Sequence, residues 1–463
     1  MVKTQVFVFG DSEYETIVVY WENLTRSDAM TKQEIKQQVL KQIDKQSKWI
    51  TEIGDTIFSH PELGFKEHKT AKLTADVFSE LDLSCRENLA VTGVMATAGN
   101  SPGPRVMVMG ELDAVVCPLH PQADPQTGAA HSCGHNAQIA SMLGAAIGLK
   151  PFMEYLSGQA VFVAVPAEEY VELEYRERLR EQGVIQFFGG KQEFIRLGLL
   201  DDVDMGMMVH SHAGITERKF LLGCDSSGFL GKLIQFSGKE AHAGAEPFAG
   251  INALNAAALS LLAIHAQRET FRESDRIRIH PIITKGGDLV NIVPADVRME
   301  TYVRARSIEA VVDASAKVDR ALQGSAMSIG AQVHITDMPG YLPLKQSQML
   351  DAIFAKNAAY VLGDDAILYD YELMGSTDAG DLSSVMPFIH VSSGGFGGTA
   401  HSRDFTIVDP EMAYVIPAKV MALTVIDLLW DGADAAKAIK ADFKPRFNRQ
   451  GYVDFWQAFI QSK

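Results

Sequence analysis

This sequence predicts an α/β architecture: a mixed, mainly parallel sheet in a larger domain, with a smaller α/β sandwich inserted into it. Three observations carry the prediction. Strand-like apolar runs alternate with helix-like runs through the first half of the chain, as in "RVMVMG", then residues 136–149, then "AVFVAVPAEE". The middle changes rhythm: "GFLGKLIQFSG", "RIRIHPIITKGG", "VRMETYVRA" and "AQVHITDMPG" read as strands, with only two helical stretches, near 250–267 and 307–328, between them. After "YLPLKQSQML" the chain is expected to return and complete the larger domain. The domains are therefore set at 1–224, with 1–29 a possible extension, 225–340 for the insert, and 341–463 for the completion of the larger domain.

Taken in order, the alternating "TQVFVF" near the start suits a short strand or a leader without fixed structure. Ile35, Val39, Ile43, Ile50 and Ile53 recur at helical spacing, so one helix is predicted from about Lys32 to Ser59, ended by "SHPELGF". A helix at 136–149 and another before "MGMMVHSH" separate the strands of the larger sheet. The charged stretch "YVELEYRERLREQGVIQFF" reads as an exposed helix.

Composition narrows the function. The chain has 463 residues, is 47% hydrophobic, and sets 42 basic against 58 acidic residues for a net charge of -16. That surplus disfavours nucleic acid and anionic membranes as partners, while a small anionic substrate remains allowed. No apolar run approaches the roughly 18 residues of a membrane span. The four cysteines form no CxxC pair, which fits free thiols in a reducing cytoplasm.

Open α/β sheets bind ligands beyond the carboxyl ends of their strands. Asp113 follows one predicted strand, Glu168 and Glu169 another, and His210 ends a third. His401 lies in the glycine-rich loop after "PFIHV", and Cys133 and His135 lie where a helix opens. Cys133, His135, Glu169, His210 and His401 form a thiolate, imidazole and carboxylate set suited to zinc, manganese, iron or cobalt rather than magnesium or calcium. In the Glu168–Glu169 pair one carboxylate can ligate while the other serves as a general base for an activated water. Each signal has a plainer reading: a polar loop at a helix start, a solvated acidic pair, a turn aspartate, and core or surface histidines at His265, His280 and His390. His210 and His212 stay ambiguous as a pair. The joint placement on one sheet edge favours a metal site.

Together the motifs "FSHPELGFKEHKTA", "GELDAV", "SCGHN", "PAEE", "GGKQEFIRLGLLDDVD", "FSGKEAHAGAEPFAGINAL", "NIVPA", "YVRA", "GSTDAGDLS" and "GGTAHS" resemble the co-catalytic metallopeptidases of the aminoacylase and glutamate carboxypeptidase type. Within them the chain resembles the cysteine-ligand amidohydrolase branch, and most of all the subgroup of aminobenzoyl-glutamate hydrolase subunits. The resemblance spans most of residues 50–430. It implies a homodimeric, dinuclear amidohydrolase acting on an N-acyl or N-aroyl amino acid or a dipeptide-like substrate, with two divalent ions per subunit, manganese or zinc, cobalt being allowed. It implies Cys133 as a bridging ligand, His135 and His210 on one metal, Glu169 and His401 on the other, and Glu168 as the base; the spacing from "DDVD" selects His210 over His212. It further implies that His242 reaches the partner's site to polarise the substrate carbonyl, and that Asn291 and Arg304 hold the substrate carboxylate. Two departures stand out. Asn136 replaces the aspartate found in most of the branch, though the subgroup shares it, and the 171–187 stretch is longer than its counterpart. The alternative is a non-catalytic metal-binding or assembly subunit of a hetero-oligomeric hydrolase, against which the presence of Glu168 argues. A cysteine-nucleophile hydrolase built on Cys133 and His135 leaves the glutamate pair and His401 unexplained.

Overall fold

The computed structural model describes residues 4–9, 16–21, 30–369 and 375–460; most of the predicted extension at 1–29 lies outside them. Within it, Thr4–Phe9 and Thr16–Trp21 pair as an antiparallel two-stranded sheet.

An eight-stranded sheet organises the larger body. Its centre runs parallel: Phe388–Ser393 beside Met205–Ser211, then Arg105–Glu111, then Gln159–Val165. Antiparallel strands Gly93–Ala98 and Cys85–Leu89 finish one edge, and Phe220–Leu221, itself antiparallel to Phe388–Ser393, leads to the other. The central strands are near-continuous apolar runs because helices cover both faces. His135–Leu149 is buried along its whole length and packs against Ile416–Leu429.

The single helix predicted over Lys32–Ser59 is two, Lys32–Lys45 and Ser47–Phe58. Gln46 leaves helical geometry (φ -102°, ψ 7°), and its N–H bonds back to Gln42 and Ile43. The apolar spacing misses this break because Ile35, Val39, Ile43, Ile50 and Ile53 are buried on both sides of it. A second difference concerns Glu411–Leu429, which is long and apolar enough to cross a membrane by length and composition, although the sequence holds no uninterrupted apolar run there. Lys419 and Asp427 interrupt it, and here it is almost wholly buried in the core.

Residues 228–339 build a separate five-stranded sheet. Gly228–Ser237 lies between Asp296–Ala305 and Gln332–Pro339, antiparallel to both. Helices Ala253–Ala266 and Ile308–Ile329 bury one face with Ile234, Phe236, Val297, Met299 and Ile335. Lys232 is buried on that side against Asp319 and Asp337, at 2.6 and 2.5 Å. "RIRIHPIITKGG" becomes two short strands, Arg278–Ile279 and Ile282–Lys285, parted at His280 and Pro281.

Candidate metal centre

The parallel strands converge on one rim. Gly134 caps the helix His135–Leu149 in a left-handed conformation (φ 79°), and a Cβ there would lie 2.6 Å from the Cβ of Ser211. Only glycine satisfies both demands. The tight turn places Cys133 and His135 beside the end of strand Met205–Ser211. Ser211 Oγ donates to the Cys133 carbonyl at 2.6 Å, and His401 N–H donates to the Ser132 carbonyl at 2.8 Å, so three loops are tied together.

Around the Cys133 sulfur the donors fall into two trios. Cys133, His135 and His210 offer ligand atoms within 4.8 Å of one another, and so do Cys133, Glu169 and His401. His210 Nε2 lies 3.4 Å and His401 Nε2 3.2 Å from the sulfur, and His401 Nε2 is also 3.2 Å from Glu169 Oε1. The far nitrogens are held: His135 Nδ1 lies 2.9 Å from the Asp113 carbonyl, and His210 Nδ1 2.8 Å from that of Ser211. Orientation of the outer nitrogen by a carbonyl or carboxylate is characteristic of metal-ligating histidines. His135 Nε2 and Glu169 Oε1 are buried and have no hydrogen bond of proper geometry, although charged neighbours lie within contact distance. This donor set fits divalent metal ions.

The electrostatics are those of an anionic cluster balanced by imidazoles. Burial and Glu169 push the Cys133 thiol up, but His210 and His135 outweigh them and bring it to about 6. Hydrogen bonds to Cys133 and Glu169 raise His401 to about 11. Glu168 is pushed well above the usual carboxylate range by burial, Glu111 and Glu169.

The structure also places the remaining candidates. His212 lies outside the cluster, its Nδ1 accepting from Gly214 N–H at 3.1 Å. His390, read as core or surface, is buried with its ring centroid 5.2 Å from that of His210. Asp113 is no simple turn residue: it accepts from Glu169 N–H at 2.9 Å and fixes that loop. Asn136 points away, donating to the Gly54 carbonyl and Tyr414. Arg304 donates to Ser376 at 2.7 Å and lies over the rings of Phe229 and Tyr302. His242 and Asn291 are exposed at the opposite end of the same ladder, where Ser237 pairs with Asp296 and Arg304 with Phe229. At about 3.3 Å per residue, the eight steps from Asp296 to Arg304 separate these ends by about 26 Å. Within one chain Asn291 and Arg304 therefore do not meet.

Sequence reasoning missed a buried ionic group under the site. Lys191 Nζ lies 2.5 Å from Glu111 Oε1 and pairs with Asp378, all three side chains being inaccessible. Glu111 also faces His135 Nε2 at 3.0 Å and shares a third donor group with His135 and Glu168. Burial opposes the charge on Glu111, but Lys191 and the neighbouring histidines hold it well below the usual carboxylate range. "GELDAV" contained the signal, a second acid two residues before Asp113; nothing near Lys191 marks it as buried.

A mainly parallel sheet with an inserted sandwich and a cysteine-centred donor cluster defines the class: an α/β protein with a candidate divalent-metal site at its sheet edge. Comparison with known proteins sharpens this. Residues 225–327 match the M20 peptidase dimerisation domain. The chain is 24% identical over 449 residues to the Xaa-Arg dipeptidase of Mus musculus, covering 90% of this chain and 94% of that protein. It is 28% identical over 301 residues to one of the subunits of the p-aminobenzoyl-glutamate hydrolase of Escherichia coli, covering 62% and 65%. A dinuclear metal-binding M20 peptidase from Bacillus subtilis shares the fold with a TM-score of 0.66 at 21% identity, over 83% of this chain and 99% of that one. The chain carries an M20 peptidase dimerisation domain, and its homologues are amidohydrolases and peptidases of that group.

Proposed function

We propose that this protein is a dinuclear metal-dependent amidohydrolase that cleaves the amide bond of an N-acyl or N-aroyl amino acid or a dipeptide-like substrate. The observation that carries the reading is the pair of donor trios that share the Cys133 sulfur. Cys133, His135 and His210 would hold one divalent ion, and Cys133, Glu169 and His401 the other, manganese or zinc with cobalt allowed. Bound there, such ions supply acidification of a water and polarisation of the scissile carbonyl.

The chain's own residues do the rest. Glu168, beside Glu169 yet outside both trios, accepts a proton from the attacking water and delivers it to the leaving nitrogen. Its environment favours a carboxyl that takes up protons readily. Arg304 offers a planar fork for the substrate carboxylate. His242 Nδ1 accepts from the Gly244 and Ala245 N–H groups at 3.2 and 3.1 Å, so the neutral ring carries its proton on Nε2 and can donate to a carbonyl oxygen. His242 bridges to Ile292 at the end of the ladder away from Arg304, next to Asn291 and the exposed Leu289 and Val290. We assign His242 and Asn291 to the partner's site in a homodimer formed through the inserted domain. The four free cysteines agree with a cytoplasmic setting.

The test is metal-reconstituted protein screened against N-acyl and N-aroyl amino acids and dipeptides. Near two ions per chain with amide turnover is expected. Turnover by metal-free protein, or full loading with no amide cleaved, overturns the reading.

A further inference from the structure

The 171–187 stretch has no part in the function proposed above. Its sequence reads as an exposed charged helix, whereas Leu173–Glu181 is mostly half-buried, with Glu174, Arg178 and Glu181 exposed. Arg176 is the exception: its side chain is wholly buried. Nη1 donates to the Phe188 carbonyl at 2.6 Å and Nη2 to the Glu169 carbonyl, while the guanidinium stacks on Phe65 with 5.4 Å to the ring centroid. One side chain thus clasps the two ends of the excursion, and one of those ends is the glutamate pair. Burying a guanidinium is costly unless hydrogen bonds compensate it, and here the two carbonyls supply them.

The glutamate loop needs such a hold. Ala167 occupies the left-handed region (φ 54°), a strained conformation for a residue with a side chain, which persists only where the surroundings over-determine it. Its N–H donates to the buried Glu67 at 2.8 Å. The Glu168 carbonyl accepts from Tyr341, the Glu169 N–H donates to Asp113 at 2.9 Å, and the Glu169 carbonyl is held by Arg176. Arg176 is the member of this set that the long segment contributes. Gly64 admits it, since a Cβ there would lie 2.5 Å from Arg176 Nη2 and 2.9 Å from the Ala167 Cα.

We infer that Arg176 is a positioning residue: the inserted helix exists to place a buried guanidinium on the Glu169 carbonyl and so to hold Glu168 and Glu169 at their working angles. The inference rests on the hydrolase reading. Arg176 touches neither substrate nor metal, so its removal should act on turnover rather than on substrate binding.

The experiment compares metal-loaded wild type, Arg176→Ala and Arg176→Lys, with the exposed Arg178→Ala as a control. Arg176→Ala should lower kcat by about 10²-fold, the scale of a misplaced catalytic group, with KM and metal content close to wild type. Guanidinium chloride well below denaturing concentration should restore part of that kcat by refilling the vacated space, and should leave wild type and Arg178→Ala unchanged. If the alanine variant does not fold, Arg176→Lys carries the test, because an ammonium cannot span both carbonyls as the guanidinium fork does. An Arg176 variant with wild-type kcat overturns the inference, as does a kcat loss that tracks lost metal and ignores guanidinium. An inactive wild-type holoenzyme would instead mark failure of the hydrolase reading.

Discussion

Lys191 is where the stability of the core and the charge state of the site meet. Its ammonium lies between Glu111 and Asp378, with no exposure on any of the three side chains. Lys191→Met keeps much of the volume and removes the cation, leaving two buried carboxyls without their counter-charge. Breaking a buried ion pair by deleting one partner costs about 3–5 kcal/mol. At about 2 °C of melting temperature per kcal/mol for a body of this size, that is a fall of about 6–10 °C. The pH dependence has a definite sign. Burial already raises Asp378 to about 6, above the unfolded value near 4, and without Lys191 it rises further, while Glu111 loses the largest of the charges that depress it and keeps His135 and His210. The folded state then binds more protons than the unfolded one, so stability is lost as pH rises above about 4. Calorimetry at pH 5 and pH 8, at matched metal occupancy, should show the larger deficit at pH 8. Adding Asp378→Asn should return part of the loss, because a neutral amide no longer needs the cation. A melting temperature within about 1 °C of wild type at both pH values, on the same scale, would refute the argument that Lys191 is the buried counter-charge of Glu111 and Asp378.

Glu168→Gln should lower turnover by roughly 10²–10⁴-fold with metal content preserved, measured by steady-state kinetics and elemental analysis; near-normal turnover removes Glu168 as the base. Mixing inactive His242→Ala with inactive Glu168→Gln under subunit exchange should recover activity, because one site of the mixed dimer then has both residues intact; no recovery despite verified exchange rules out action across the dimer. Asp381 is buried and receives hydrogen bonds from Tyr452 at 2.6 Å and Trp456 at 3.2 Å, and burial raises its carboxyl to about 7. An acid raised in the folded state withdraws stability as pH climbs from about 4 to that value. Asp381→Asn should therefore flatten this part of the melting-temperature profile between pH 4 and 7, and an unchanged slope would count against it.

Much of the fold was legible because its signals are local. Alternating apolar strands and helical spacing show in the chain itself, and the end of a buried parallel strand shows where an apolar run stops at a polar residue. That is why the chain alone draws attention to Cys133, His135, Glu169, His210 and His401, placed at strand ends, at a helix start and in a loop of one sheet edge. The choice of His210 over His212 came from the family resemblance. What the sequence could not decide was which groups meet across distance. Gln46 breaks a helix whose apolar spacing continues through it, and the spacing carries no record of one residue's dihedral angles. Lys191 and Arg176 look like surface charges, and only the packing of segments far apart in the chain buries them, one between two carboxylates and the other against two carbonyls. Asn291 and Arg304 share the inserted domain, yet they lie at opposite ends of a strand whose ends at Asp296 and Arg304 are about 26 Å apart, since each strand residue advances the chain by about 3.3 Å. Residue chemistry and periodicity are written in the chain, whereas burial and distance arise only when segments remote in sequence pack together.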